Sequence, residues 1–213
     1  MDEFRGKTCF VTGGASGIGF GLAAAFGGAG MNVMIGDIEP EPMERAVERL
    51  RERQIRAEGV VCDVADLESL KAAAARTVDT FGKVHVLCNN AGIGAGGPVG
   101  EVAMADWDWT IAVNLMGVVY GVEAFLPHLR AHGEGGHIVN TASMAGLVSG
   151  PMMEPYNASK FAVVSNSESW AIQLAPENIG VSVLCPGFVN TNIFKSRRTR
   201  HAKFGGAPGA DAP

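Results

Sequence analysis

Short apolar runs alternate along the chain with longer stretches whose apolar residues recur at helical spacing. The runs cover residues 8–12, 32–37, 59–63, 84–89, 137–141 and 181–186. Each is almost continuously apolar, the pattern of strands covered on both faces. Between the first two, Ile18, Leu22, Ala25, Phe26 and Ala29 fall on one helical face. Residues 41–54 read as a charged surface helix. Residues 66–81 open on Asp66 as a candidate N-cap and repeat Leu67, Leu70, Ala74 and Phe81. A long helix is predicted over 106–132 and another over 156–174, ending before Pro176. This alternation predicts an α/β fold, a doubly wound parallel sheet with helices on both faces. Ligands of such sheets bind beyond the carboxyl ends of the strands. Residues 195–213 break the pattern. They are basic, then rich in Gly, Ala and Pro, and read as a flexible segment after a single domain over 1–194.

Composition narrows the class. With 47% hydrophobic and 18% charged residues in 213, the chain can bury a full core and is not disordered throughout. Its 29 glycines show no Gly-X-Y period and must serve turns and close backbone approaches. The net charge of −5 divides unevenly, with five basic and one acidic residue in 195–213 and an acidic body before it. An acidic body argues against nucleic acid as a partner. Cys9, Cys62, Cys88 and Cys185 form no CxxC and read as buried strand thiols. The opening MDEFRGKT has no apolar leader, and no apolar stretch approaches about 18 residues. The expectation is a cytoplasmic protein with no membrane partner.

Candidate chemistry follows the strand ends. Thr12-Gly13-Gly14-Ala15-Ser16-Gly17-Ile18-Gly19 lies between a strand and a helix, where Gly13, Gly17 and Gly19 let backbone approach a pyrophosphate. Asp37 ends the second strand, placed to accept both hydroxyls of an adenosine ribose and to repel a 2′-phosphate. No Arg or Lys stands at 14–16 or 38–40 to offset it, which favours NAD over NADP. Asp63 and Val64 could meet an adenine ring, or simply form a turn. Asn90, Ala91 and Gly92 could support the cofactor ribose, or again form a turn. Tyr156 and Lys160 share a helix face, and an ammonium beside a phenol lowers its pKa. Ser143 precedes them by 13 residues. Asn114 is a polar residue in an apolar run, either functional or a satisfied core amide. His85, His128, His132, His137 and His201 show no metal-binding spacing, so no metal is expected.

Taken together, TGxxxGIG, Asp37, Asp63, Asn-Asn-Ala-Gly, Asn114, Ser143, Tyr156-x-x-x-Lys160 and Pro186-Gly187-x-x-x-Thr191 resemble the short-chain dehydrogenase/reductase family in its NAD-preferring form, over residues 7–194. The resemblance implies a Rossmann-like sheet of six or seven strands. It implies Tyr156 as acid/base on the alcohol or carbonyl oxygen, with Ser143 hydrogen-bonded to that oxygen. Lys160 would hold the nicotinamide ribose, and Asn114 would order a proton-relaying water. Ser16, Gly17 and Ile18 would lie at the phosphates, and Pro186, Gly187, Val189 and Thr191 at the nicotinamide half. It also implies a homodimer or homotetramer formed through the two long helices. The family usually continues through a further helix and a seventh strand, so the short C-terminus reads as a truncation. Ser165, Asn166 and Ser167 make the catalytic helix unusually polar.

Residues expected around the substrate, 94–98, 145–148, 151–153 and Phe188, are mostly apolar and include no Arg or Lys. They favour a hydrophobic secondary alcohol or ketone. The strings 14–21 and 135–143 are also similar to bacterial dehydrogenases of lignin-type aryl ethers. A non-catalytic NAD-binding sensor or assembly partner is the alternative, and needs no Tyr156. A methyltransferase shares the glycine turn and the acid after the second strand, and needs no YxxxK.

Overall fold

A computed structural model of the protein describes residues 4–206. Six strands form one parallel sheet: β1 (Thr8–Thr12), β2 (Asn32–Asp37), β3 (Ala57–Val61), β4 (Val86–Asn89), β5 (Gly136–Thr141) and β6 (Ile179–Leu184). Their order is β3-β2-β1-β4-β5-β6. The winding reverses between β1 and β4, which opens a crevice at their carboxyl ends. The helices are α1 (Gly17–Gly28), α2 (Pro40–Arg51), α3 (Leu67–Phe81), α4 (Met104–Ile111), α5 (Gly117–Ala131) and α6 (Glu154–Leu174).

The alternation of side chains along β1 builds two cores. Phe10 joins Met34, Leu70, Leu87 and Phe125 under α3 and α5. Cys9 and Val11 join Val33, Ile35, Leu50 and Val139 on the α1 and α2 face. The Phe10 and Phe125 rings meet with centroids 4.4 Å apart. The four cysteines are free, and Cys9, Cys62 and Cys88 are buried.

Several elements differ from the pattern-based expectation. β3 and β6 each lie two residues earlier in the chain than predicted. Asp63 has already left the ladder: its N–H donates to Ser69 Oγ and its Oδ1 accepts from Ala65 N, a turn that leads into α3. Pro186 has no N–H to extend β6. The buried line of α1 is Gly19, Ala23 and Gly27, while Ala25 and Ala29 face out. Small residues let this helix lie close to the sheet, so its large apolar residues mark the flank, not the contact line. Asp66 does cap α3, accepting from Glu68 N at 3.0 Å.

The long helix is not uniform. α4 and α5 are joined by a π-helical turn, Ala112–Met116, which carries Asn114. Such turns widen the backbone spiral and recur at functional sites. The helical run Met104–Ala131 is long and apolar enough to cross a membrane by length and composition alone. Half of its most apolar window is buried in the protein.

The α1 contact line is testable. A Cβ on Gly27 would overlap the buried side chain of Ile55, whereas one on Gly28 would meet nothing. Gly27→Ala should destabilise the chain by about 1–3 kcal/mol. Gly28→Ala should be neutral or stabilise it by up to ~1 kcal/mol. Urea denaturation of both variants measures the contrast.

Candidate active site

The carboxyl ends of β1, β4 and β5 are tied together by polar side chains. Buried Thr12 Oγ1 accepts N–H bonds from Asn90 at 2.9 Å and Ala91 at 3.0 Å. Asn90 Nδ2 returns bonds to the Thr12 and Gly13 carbonyls, and Thr141 Oγ1 donates to Asn90 Oδ1. One layer deeper, Asn89 and Asn140 face each other across the β4–β5 register. Asn89 Nδ2 donates to Asn140 Oδ1, and Asn140 Nδ2 donates to Ser167 Oγ on α6. Ser167 thus gives part of the polar stretch in that helix a purpose.

Above this brace lies one cavity of about 520 Å³. At one end is the turn between β1 and α1. Gly17 adopts φ +54°, and a Cβ there would stand 2.9 Å from Thr191 Cγ2, so the turn and the segment after β6 touch. Ser16 makes no side-chain cap, which leaves the α1 N–H groups directed at the cavity. Asp37 sits beside them. Its Oδ2 accepts from Ala15 N at 3.0 Å and its Oδ1 from Glu39 N at 3.1 Å. Burial pushes its carboxyl up from the ordinary range, these two N–H bonds pull it down, and the nearby Glu39 charge pushes it up again.

At the other end stand Ser143, Tyr156 and Lys160. Ser143 follows β5 and caps a short turn, accepting from Ala145 N. Tyr156 and Lys160 lie one turn apart on the buried face of α6. Lys160 Nζ donates to the Thr141 carbonyl at 2.8 Å and lies 5.6 Å from the Tyr156 ring centroid. Burial lowers its pKa to about 8. Burial also pushes the Tyr156 phenol up, and the Ser143 hydroxyl pulls it partly back. The expectation that Lys160 lowers this phenol is therefore corrected for the protein alone. Lys160 instead points its amine at the Thr141 carbonyl.

Of the residues singled out in sequence, Gly13, Ser16, Gly17, Ile18, Asp37, Asp63, Val64, Asn90, Ala91 and Gly92 line this cavity. So do Ser143, Tyr156, Lys160, Pro186, Gly187, Val189 and Thr191. Two do not. Gly19 lies behind the turn, where a Cβ would collide with the Gly13 carbonyl and stand 2.5 Å from Asn90 Nδ2. Asn114 is fully buried and pins Ile93, accepting from its N–H at 2.8 Å and donating to its carbonyl at 3.0 Å. Its Oδ1 and Lys160 Nζ nevertheless converge on Gly92, where a Cβ would stand 3.4 and 3.6 Å from them.

Sequence reading missed Trp109, Val113 and a set from the C-terminal segment: Ile193, Phe194, Ser196, Arg198, His201 and Phe204. That segment forms short 3₁₀ turns over Ile193–Thr199 and Ala202–Phe204. It is fastened by Arg198 to Glu39 and by Arg200 to Asp106 at 2.7 Å. Residues 207–213 of the predicted flexible stretch lie outside the described residues. No local pattern reveals this docking, because both acidic partners are distant in the chain.

The family described as short chain dehydrogenase matches residues 7–202. The chain belongs to that family. This short-chain dehydrogenase is accordingly an oxidoreductase of CH–OH groups that works with a nicotinamide dinucleotide. It is 39% identical over 206 residues to the C alpha-dehydrogenase of a Sphingobium species, covering 96% of this chain and 68% of the relative. It is 36% identical over 189 residues to 3beta-hydroxysteroid dehydrogenase 2 of Eggerthella lenta, covering 88% and 73%. Its fold matches a short chain dehydrogenase/reductase from Burkholderia phymatum crystallised in complex with NAD, at TM-score 0.93 and 42% identity, covering 96% and 73%.

A second cluster lies at the amino ends of the strands. His85, His132 and Glu134 bring ligand atoms within 4.8 Å of one another. Their ring nitrogens are already engaged. Thr8 N donates to His85 Nδ1, Glu134 N donates to His132 Nδ1, and the two Nε2 atoms meet Glu134 and the Val84 carbonyl. The cluster ties loops together and keeps no free lone pair set for an ion.

The depressed pKa of Lys160 makes stability depend on pH. An unfolded lysine holds its proton to about pH 10.4, so between about 8 and 10.4 the unfolded chain binds more protons than the folded one. Stability rises with pH across that window. Lys160→Met should lose a rise of roughly 1–3 kcal/mol, seen by comparing chemical denaturation of both proteins at pH 7.5 and 10.

Proposed function

We propose that this dehydrogenase interconverts a hydrophobic secondary alcohol and its ketone with NAD, using Tyr156 as acid/base. The observation that carries this reading is one cavity holding the α1 N-terminus and Asp37 at one end and Ser143, Tyr156 and Lys160 at the other. The residues present fit the dinucleotide. The uncapped α1 N–H groups suit a pyrophosphate, and each Asp37 oxygen has accepted one N–H and keeps capacity for a ribose hydroxyl. Asp63 and Val64 would flank the adenine, and Pro186, Gly187, Val189 and Thr191 the nicotinamide half. A bound nicotinamide ring supplies the hydride acceptor or donor.

The protein's own part is to orient the substrate oxygen and move one proton. Ser143 and Tyr156 hydroxyls face the position of that oxygen. The raised phenol holds its proton at neutral pH, so it donates directly to a carbonyl during reduction. Oxidation needs the deprotonated phenol. Lys160 hydrogen-bonds the end of β5 and would reach the ribose hydroxyls, and Asn114 fixes Ile93 beneath the site.

The substrate wall is apolar: Trp109, Met144, Val148, Met153, Phe188, Phe194. Phe188 and Phe194 are almost wholly exposed, ready to cover an apolar ligand. One relative is a hydroxysteroid dehydrogenase, and a steroid alcohol is a bulky apolar alcohol of this class. Pairing of copies into a homodimer or homotetramer belongs to the same reading. Phe161 and Ile172 of α6 stay 40% and 79% exposed, which supports it.

Absorbance of reduced nicotinamide, with NAD and a panel of apolar secondary alcohols that includes aryl carbinols, tests the reading. Turnover should favour NAD over NADP. Oxidation should rise with pH toward the phenol pKa while ketone reduction falls. Tyr156→Phe should lose at least about 100-fold in kcat with NAD still bound. Retained turnover in that variant would refute the assignment.

A further inference from the structure

The C-terminal segment brings a cation to the adenosine end of the cavity that no local sequence signal reveals. Among the described residues lining the cavity, Lys160 and Arg198 are the only lysine and arginine, and Lys160 belongs to the other end. Arg198 lies beside the β2 carboxyl end. Its Nε donates to Glu39 Oε1 at 3.0 Å, its Nη2 to Glu39 Oε2 at 2.6 Å and its Nη1 to the Lys195 carbonyl at 3.0 Å. Every nitrogen of the guanidinium is thereby in use, and its charge is met by a carboxylate in the bidentate geometry that also suits phosphate. Glu39 lines the same cavity next to Asp37 and Ile38. It is also close enough to Asp37 for its charge to act on that carboxyl. Lys203 reaches the Ala65 carbonyl at 3.5 Å and does not line the cavity.

We infer that Glu39 is a second residue, beside Asp37, that discriminates NAD from its 2′-phosphorylated form. It locks Arg198 in an ion pair at the ribose end, where a released guanidinium would bind the 2′-phosphate. The inference rests on the nicotinamide-cofactor reading above. It differs from simple repulsion because it requires Arg198. The two substitutions are mild for folding. Glu39 is the N-cap residue of α2 but makes no side-chain cap bond, and its backbone N–H bond to Asp37 survives replacement.

The test is fluorescence titration of NADH and NADPH with the unchanged chain, Glu39→Gln, Arg198→Ala and the double variant. Glu39→Gln should improve NADPH affinity relative to NADH by at least about tenfold, since a freed Arg–phosphate pair is a strong charge-assisted bond. Arg198→Ala alone should leave the ratio within about twofold of the parent, because its charge is already neutralised there. The double variant should lose the gain. An unchanged ratio in Glu39→Gln overturns the inference, and so does a gain that survives in the double variant. Failure of the unchanged chain to bind either dinucleotide would instead remove the cofactor reading and this inference with it.

Discussion

The site depends on one hydroxyl. Thr12 ends β1, and its Oγ1 accepts the N–H groups of both Asn90 and Ala91 at the end of β4. Two half-buried donors would otherwise lack protein partners where the strands diverge, at a cost of up to ~1–3 kcal/mol each. The bond fixes the spacing between the glycine turn and the β4 loop, the two walls of the crevice. Asn90 adds bonds to Thr12, Gly13 and Thr141, so β1, β4 and β5 end in register. Lys160 then hangs from the Thr141 carbonyl, and Tyr156 one turn away follows it. Displacing Thr12 displaces the dinucleotide cradle and the proton-transfer group together.

Burial governs the electrostatics of this apparatus. It moves the acids Asp37 and Tyr156 up and the base Lys160 down, always toward the neutral form. A site like this is poised for a ligand that brings charge and donors of its own. In the protein alone, the phenol keeps its proton, and the lysine amine is held by a carbonyl instead of an anion. Cradle and proton donor thus share one mostly apolar cavity, where a polar contact counts for more than it does in water.

The sheet was legible because β1, β2, β4 and β5 are buried along nearly their whole length and their composition shows it. Most of the site was legible as well, since its residues follow strand ends or share a turn of α6. What escaped has physical reasons. The contact line of α1 is made of Gly19, Ala23 and Gly27, and a pattern of large apolar residues cannot mark a contact made by small ones. The π-turn carries Asn114, which bonds Ile93, 21 residues earlier, and helical periodicity carries no trace of either. Ser167 looked out of place until Asn140 supplied its partner. Arg198 could not be placed without knowing that residues 193–206 fold back over the cavity to Glu39 and Asp106.

The brace at Thr12 is best tested by Thr12→Val, which keeps the shape and removes the acceptor. Calorimetric titration of NAD, beside a urea denaturation curve, separates the site from the fold. The account predicts a folded chain, destabilised by about 1–3 kcal/mol, whose NAD affinity falls at least tenfold. A folded variant that binds NAD as tightly as the unchanged chain would contradict it.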